Sequence, residues 1–210
     1  QARADKAEYC EYVERWIHEI KTPLTACSLM LANGGEISRM KKELCKANNL
    51  VESVLYCARL RTQGTDAFIR RFWVQQVLQE AVRSQMELLL ASGISAEVMG
   101  DFETVGDAQA PSFMIKQLLV NCAKYCPRCR VALRAQNGSV IVEDNGPGVP
   151  AHELPRLTER GFTGSNSKPG GTGMGLYLVR EMCKKQGIGF LIESELGSFT
   201  RFVFTLPQAG

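Results

Sequence analysis

The chain has 210 residues, 45% of them hydrophobic and 22% charged, with a formal net charge of +3. That is room for one large domain or two small ones of ordinary globular composition. The charge is spread along the chain and no basic block demands a nucleic-acid or membrane surface as partner, so no nucleic acid is expected, and no apolar run approaches the ~20 residues that span a bilayer.

No signal peptide is recognisable. The chain starts at Gln1 rather than Met, which reads as a processed or excised piece, so the missing membrane segment says little about a parent protein. Eight cysteines are scattered at positions 10, 27, 45, 57, 122, 126, 129 and 183. Without a secretory signal they read as reduced thiols in a cytosolic setting.

Residues 1–62 predict two helices joined by a tight turn. Val13, Ile17, Ile20, Leu24, Cys27 and Leu31 follow a heptad seam, and so do Ile37, Met40, Leu44, Ala47, Val51, Val54 and Ala58. Such seams pack as left-handed bundles, and Asn33-Gly34-Gly35 supplies the breaker between them. Trp16, Leu29, Leu50 and Leu55 lie beside the seams. A lone hairpin buries them poorly, which predicts a homodimer forming a four-helix bundle.

Residues 61–67, RTQGTDA, read as a linker, and 63–210 as a second domain in which α and β segments alternate. Helices are expected over Val74–Ser92, from Pro111 to Tyr125 with proline in the first turn, and from Thr172 to Lys185. Strands are expected at Arg130–Ala135 and Ser139–Asp144 around Asn137-Gly138, a two-residue hairpin signal. Two more fall near 188–194 and 199–206, and a Gly/Pro-rich loop covers 145–172. The pair Cys126-Pro-Arg-Cys129 lacks the second ligand pair of a zinc site and reads as a turn after a helix.

Four places carry chemistry. His18 sits beside the seam residue Ile17, which puts it toward solvent, with Glu19 adjacent and Thr22 one turn on; Pro23 then interrupts the helix. A lone helical histidine is more often structural, but exposure, an orienting carboxylate and room for a bulky donor are what a nucleophilic imidazole needs. Gln117, Asn121 and Lys124 form a polar stripe, suited to a metal and phosphates or simply to solvent. Asp144-Asn145-Gly146-Pro147-Gly148 follows a strand; it is good turn chemistry, and its acid can also accept a bond from a base edge. Gly170–Leu176 brings glycine amides to a helix start, an anion site. It is neither a Walker A loop nor a dinucleotide fingerprint.

In this order the segments resemble a bacterial sensor histidine kinase. WIHEIKTPL (16–24) is similar to the H box, NCAKY (121–125) to the N box, DNGPGV (144–149) to the G1 box, ERGFTG (159–164) to the F box and GTGMGL (171–176) to the G2 box. The resemblance covers nearly the whole chain. It implies an α+β protein: a dimerisation and phosphotransfer hairpin, then an α/β sandwich ATP-binding domain of the GHKL type.

By that resemblance His18 is the phosphoacceptor, Glu19 the general base, and Thr22 the residue that orients water when such kinases act as phosphatases. Asn121 holds Mg²⁺, Lys124 contacts phosphate and Tyr125 lines the nucleotide pocket. Asp144 bonds the adenine amino group, while Gly146, Gly148 and Val149 let the base approach. Residues 149–170 form the lid, with Gly161 and Phe162 at its anchor. Gly171, Thr172, Gly173, Met174, Gly175 and Leu176 close its hinge and bring amides to the phosphates. Gln117 stands where many such kinases carry a second asparagine, and its role stays open.

The partners implied are ATP, Mg²⁺, a second copy of the chain and a response-regulator receiver domain, in the cytoplasmic portion of a membrane-anchored bacterial sensor. IHEIKTPLTA, ERGFTG and TGMGLYLV are similar to kinases that work with peptide-antibiotic ABC transporters, which implies such a transporter as a further partner. A degenerate kinase acting only as phosphatase or scaffold, or another GHKL-type ATPase, are the alternative readings.

Overall fold

The architecture is that of a computed structural model, which describes residues 2–61, 69–165 and 173–207. The chain divides into two compact units, Gln1–Arg61 and Thr62–Gly210. From residue 62 on, the linker expected at 61–67 lies outside the described residues.

The first unit is a helical hairpin of α1 (Ala2–Ala32) and α2 (Ile37–Arg61). Gly34 takes a left-handed φ of +65°, and the Asn33 and Gly35 amides donate to Leu29 O and Met30 O at 3.1 and 2.6 Å. These bonds satisfy carbonyls that the end of α1 would otherwise leave open. The helix α1 continues through Pro23, although proline has no N–H to give to the Glu19 carbonyl one turn back.

The two heptad seams each split into alternate layers. Cys27 and Ala47 are buried and Ile20, Met40 and Val54 half-buried; the Cys27 thiol reaches Met40 O on the other helix at 3.6 Å. The other layer, Ile17, Leu24, Leu31, Ile37, Leu44 and Val51, stays 42–70% exposed. Each hairpin thus uses half of its seam internally and shows the other half to solvent.

The second unit opens with β1 (Ile69–Trp73), α3 (Val74–Ser84), α4 (Met86–Ala91), β2 (Ser95–Met99), β3 (Glu103–Asp107) and α5 (Gln109–Tyr125). It continues with β4 (Arg130–Gln136), β5 (Ser139–Asp144), a 3₁₀ turn at Leu154–Arg156, α6 (Gly175–Gln186), β6 (Gly189–Glu195) and β7 (Phe199–Thr205). The main sheet runs β2-β4-β5-β7-β6, and β1 and β3 form a separate antiparallel pair. Only β2–β4 is parallel within the main sheet.

The strands alternate as a half-buried sheet requires. Val131, Leu133, Val140, Val142, Phe202 and Phe204 are buried, as are Leu78 on α3, Phe113 and Leu118 on α5, and Leu178 on α6. The helices and this sheet face make one two-layer core. The opposite face carries a charged rung: Arg201 reaches Glu143 at 2.6 Å and Glu193 at 3.0 Å, its neighbours across the strands on either side.

Asn137 and Gly138 both have positive φ, +51° and +75°, as a two-residue hairpin turn requires. The helix expected over Val74–Ser92 is instead broken at Gln85 (φ −103°, ψ 7°). Buried Gln85 marks a turn that lets both α3 and α4 lay apolar faces on the core. The strands β1, β2 and β3 were not among the expected elements. Helix α6 starts at Gly175, three residues after the expected start at Thr172, which lies outside the described residues.

Candidate functional site

Asp144 closes β5 and is only 6% exposed. Burial pushes its carboxyl above the usual carboxylate range, against the opposing pull of the Gly146 amide, which donates to Oδ1 at 2.9 Å. A Cβ on Gly146 would overlap that of Cys126 and stand 2.7 Å from Asp144 Oδ1, so bare backbone is all that fits beside the carboxylate. Thr200, also buried, is the cross-strand neighbour of Asp144 and shares its side of the sheet.

Gly148 and Val149 turn to a different neighbour. Gly148 has φ +65°, and a Cβ on it would overlap the Glu195 carbonyl oxygen. Val149 N donates to Ser194 Oγ at 2.9 Å and Gly197 N to Pro147 O at 2.7 Å. The loop after Asp144 is therefore strapped to the turn between β6 and β7.

The polar stripe of α5 does not simply face water. Gln117 is buried, and Asn121 and Lys124 are half-buried. A Cβ placed on Gly175 would lie 3.1 Å from Gln117 Oε1 and 3.9 Å from Asn121 Oδ1. Two amide oxygens thus converge on the start of α6, where helix N–H groups lack intrahelical partners. Met174 is buried at that start and Leu176 half-buried. The Lys124 ammonium sits 5.2 Å from the ring centroid of Tyr125.

Between these elements the chain is pinched. Gly161 N donates to Gly173 O at 3.2 Å. Gly173 has φ +64°, and a side chain there would overlap Gly161 C and Phe162 O. The Arg156 guanidinium covers the Phe162 ring at 4.5 Å. Buried Glu153 accepts the Ser165 amide at 2.9 Å, and its interaction with Ser165 holds its carboxyl below the ordinary value. Gly171 and Thr172, with 166–170, lie outside the described residues.

In the hairpin, His18 and Thr22 are exposed and Glu19 half-buried. The Thr22 hydroxyl donates to the His18 carbonyl at 3.2 Å, the back-bond of a helical threonine.

Three residues of this neighbourhood were not expected from sequence. Thr200 needed the β5–β7 register to find it. Cys122 and Cys126 flank Asp144, the Cys122 thiol 3.9 Å from Oδ2, and only the i, i+4 spacing to the end of α5 hinted at them.

Residues 106–210, half the chain, match the family model described as histidine kinase-, DNA gyrase B-, and HSP90-like ATPase. The sensor histidine kinase GraS of Staphylococcus haemolyticus is 32% identical over 206 residues, covering 92% of this chain and 59% of that protein. The sensor protein BceS of Halalkalibacterium halodurans is 29% identical over 203 residues, covering 92% and 61%. The chain spans about three fifths of the length of these curated relatives. Among solved structures, the mycobacterial sensor histidine kinase MprB aligns at TM-score 0.55 and 25% identity, over 66% of this chain and 97% of that one. The Acinetobacter baumannii histidine kinase AdeS shares the fold at TM-score 0.63 and 16% identity, over 92% and 98%. The chain belongs to the histidine kinase-, DNA gyrase B- and HSP90-like ATPase family.

Proposed function

We propose that this chain is the phosphotransfer and ATP-binding part of a membrane-anchored sensor kinase: it moves the γ-phosphoryl group of ATP to His18, and from there to an aspartate of a response regulator. The observation that carries the reading is the buried Asp144 carboxylate beside the bare backbone of Gly146. A buried acceptor next to a surface without side chains fits a flat base with an exocyclic amino group, and a hydrogen bond to a charged group contributes about 1.5–3 kcal/mol.

The amide oxygens of Gln117 and Asn121 beside Gly175 suit a hard divalent cation, which takes oxygen donors. Mg²⁺ supplies charge neutralisation on the phosphates when bound, and Asn121, with Gln117 beside it, is the residue that holds it. Lys124 adds positive charge, and the amides at the start of α6 meet phosphate oxygens. Tyr125 lines the pocket edge, and residues 149–170 are the lid, with Phe162 at its anchor.

A ring nitrogen of exposed His18 attacks the γ-phosphorus in line. The N–P bond forms as the bond to the bridging oxygen breaks, and ADP leaves. Glu19 holds or takes the proton on the other ring nitrogen, and Thr22 orients water when the chain acts as a phosphatase. Transfer depends on positioning, so the segment 61–67 between the units serves as hinge. The exposed seam layer of α1 and α2 supports a homodimer that buries it. Similarity to the sensor proteins BceS and GraS supports a membrane anchor, and the resemblance of IHEIKTPLTA, ERGFTG and TGMGLYLV supports a peptide-antibiotic transporter as a further partner.

Incubation with γ-labelled ATP tests the reading. The expected product is an acid-labile, base-stable phosphoprotein. ATP hydrolysis without any labelled protein would place the chain with the other ATPases of its family.

A further inference from the structure

Around Asp144 lie thiols that phosphoryl transfer does not use. Cys122 Sγ, Cys126 Sγ and an Asp144 carboxylate oxygen all lie within 4.8 Å of one another, and Cys129 Sγ is 3.2 Å from Cys126 Sγ. None of the four residues is more than 6% exposed. Three elements deliver them: Cys122 from the last turn of α5, Cys126 and Cys129 from the turn into β4, and Asp144 from the end of β5.

We propose that Cys122, Cys126 and Asp144, with the Cys129 thiol beside Cys126, form a binding site for a thiophilic divalent cation of the zinc class, and that its occupation excludes nucleotide. A tetrahedral zinc with Zn–S bonds of about 2.3 Å needs S···S edges of about 3.8 Å. The ligand atoms of Cys122, Cys126 and Asp144 lie within 4.8 Å of one another, and the Cys122–Asp144 distance of 3.9 Å is within about 0.5 Å of the S···O edge of such a zinc. Two soft sulfurs and one carboxylate select zinc over magnesium. Asp144 Oδ1 is already held by the Gly146 amide, which leaves Oδ2, the oxygen nearest Cys122, for the cation. Such a backbone bond to the far oxygen is the support a ligating carboxylate ordinarily has. Each cysteine that ligates gives its proton to solvent.

The exclusion rests on the reading of Asp144 as the adenine acceptor. One carboxylate cannot serve both ligands, so zinc and ATP oppose each other, and each weakens the other by the same factor.

Cobalt and zinc titrations of the whole reduced chain, without nucleotide, test the site. One equivalent of Co²⁺ is expected to give thiolate-to-metal charge transfer and tetrahedral d–d bands that Zn²⁺ abolishes. Cys122→Ser, with its thermal transition retained, loses the bands, whereas Cys45→Ser in the hairpin keeps them. Absence of the bands, or their survival in both Cys122→Ser and Cys126→Ser, overturns the site. Displacement of a fluorescent ATP analogue then reads the coupling: saturating Zn²⁺ is expected to weaken it roughly tenfold or more. Bands without any loss of nucleotide affinity overturn the exclusion and leave the metal site standing. Bands in a chain that binds no nucleotide even without metal overturn the adenine reading of Asp144 alone.

Discussion

Asp144 shows how burial sets a residue's task. Desolvation raises its carboxyl, yet the Gly146 amide fixes one oxygen and so leaves a single directed acceptor. Asp144→Asn replaces that acceptor by an amide whose donor end faces the same space. The expected result is a loss of nucleotide affinity of about 10–100-fold by calorimetry, the size of a charged hydrogen bond. Unchanged affinity would remove Asp144 from the base-binding role. His18, Asn121 and Asp144 were legible in the sequence because each stands inside a short local pattern. Cys122, Cys126 and Thr200 were not, because their relation to Asp144 exists only once α5, β5 and β7 are packed together.

The elements that position the site depend on glycine and on one buried acid. Gly173→Ala adds a Cβ at φ +64° that overlaps Gly161 and Phe162, a strain of about 1–3 kcal/mol. It is expected to unpin the lid and weaken nucleotide binding while far-UV dichroism stays unchanged; a variant with full affinity would show that the pinch is not needed. The Glu153–Ser165 contact holds the other end. Because the Glu153 pKa is depressed in the fold, its contribution is present above the ordinary carboxylate value and is lost as pH falls through the depressed one. Amide exchange at Ser165 should therefore lose protection in acid, and Glu153→Gln should abolish that acid step. Protection that is independent of pH would contradict the contact's role.

At this scale the sequence was read unevenly. Asn137-Gly138 announced its hairpin because both residues must take positive φ. The break at Gln85 carries no glycine or proline and comes from packing. The strands β1, β2 and β3 are five residues each, too short to show a period against their surroundings.

At the scale of the whole molecule the alternating seam is the leading fact. Half of each heptad layer closes the hairpin, and Ile17, Leu24, Leu31, Ile37, Leu44 and Val51 remain exposed. The heptads were legible in the sequence, whereas their division between an inner and an outer layer needed the hairpin itself. A symmetric partner covers each of these positions twice, and a buried leucine contributes about 1.5–3 kcal/mol. Leu44→Glu is expected to turn a dimer into a monomer by light scattering, with the second unit still binding nucleotide. A wild-type chain that is already monomeric at micromolar concentration would count against the four-helix bundle.

The central claim is that phosphate passes from ATP to His18. The direct measurement is labelling of wild type and His18→Gln with γ-labelled ATP, beside a binding assay on both. The account predicts acid-labile label on the wild type, none on the variant, and equal ATP affinity. Label that persists on His18→Gln would contradict it.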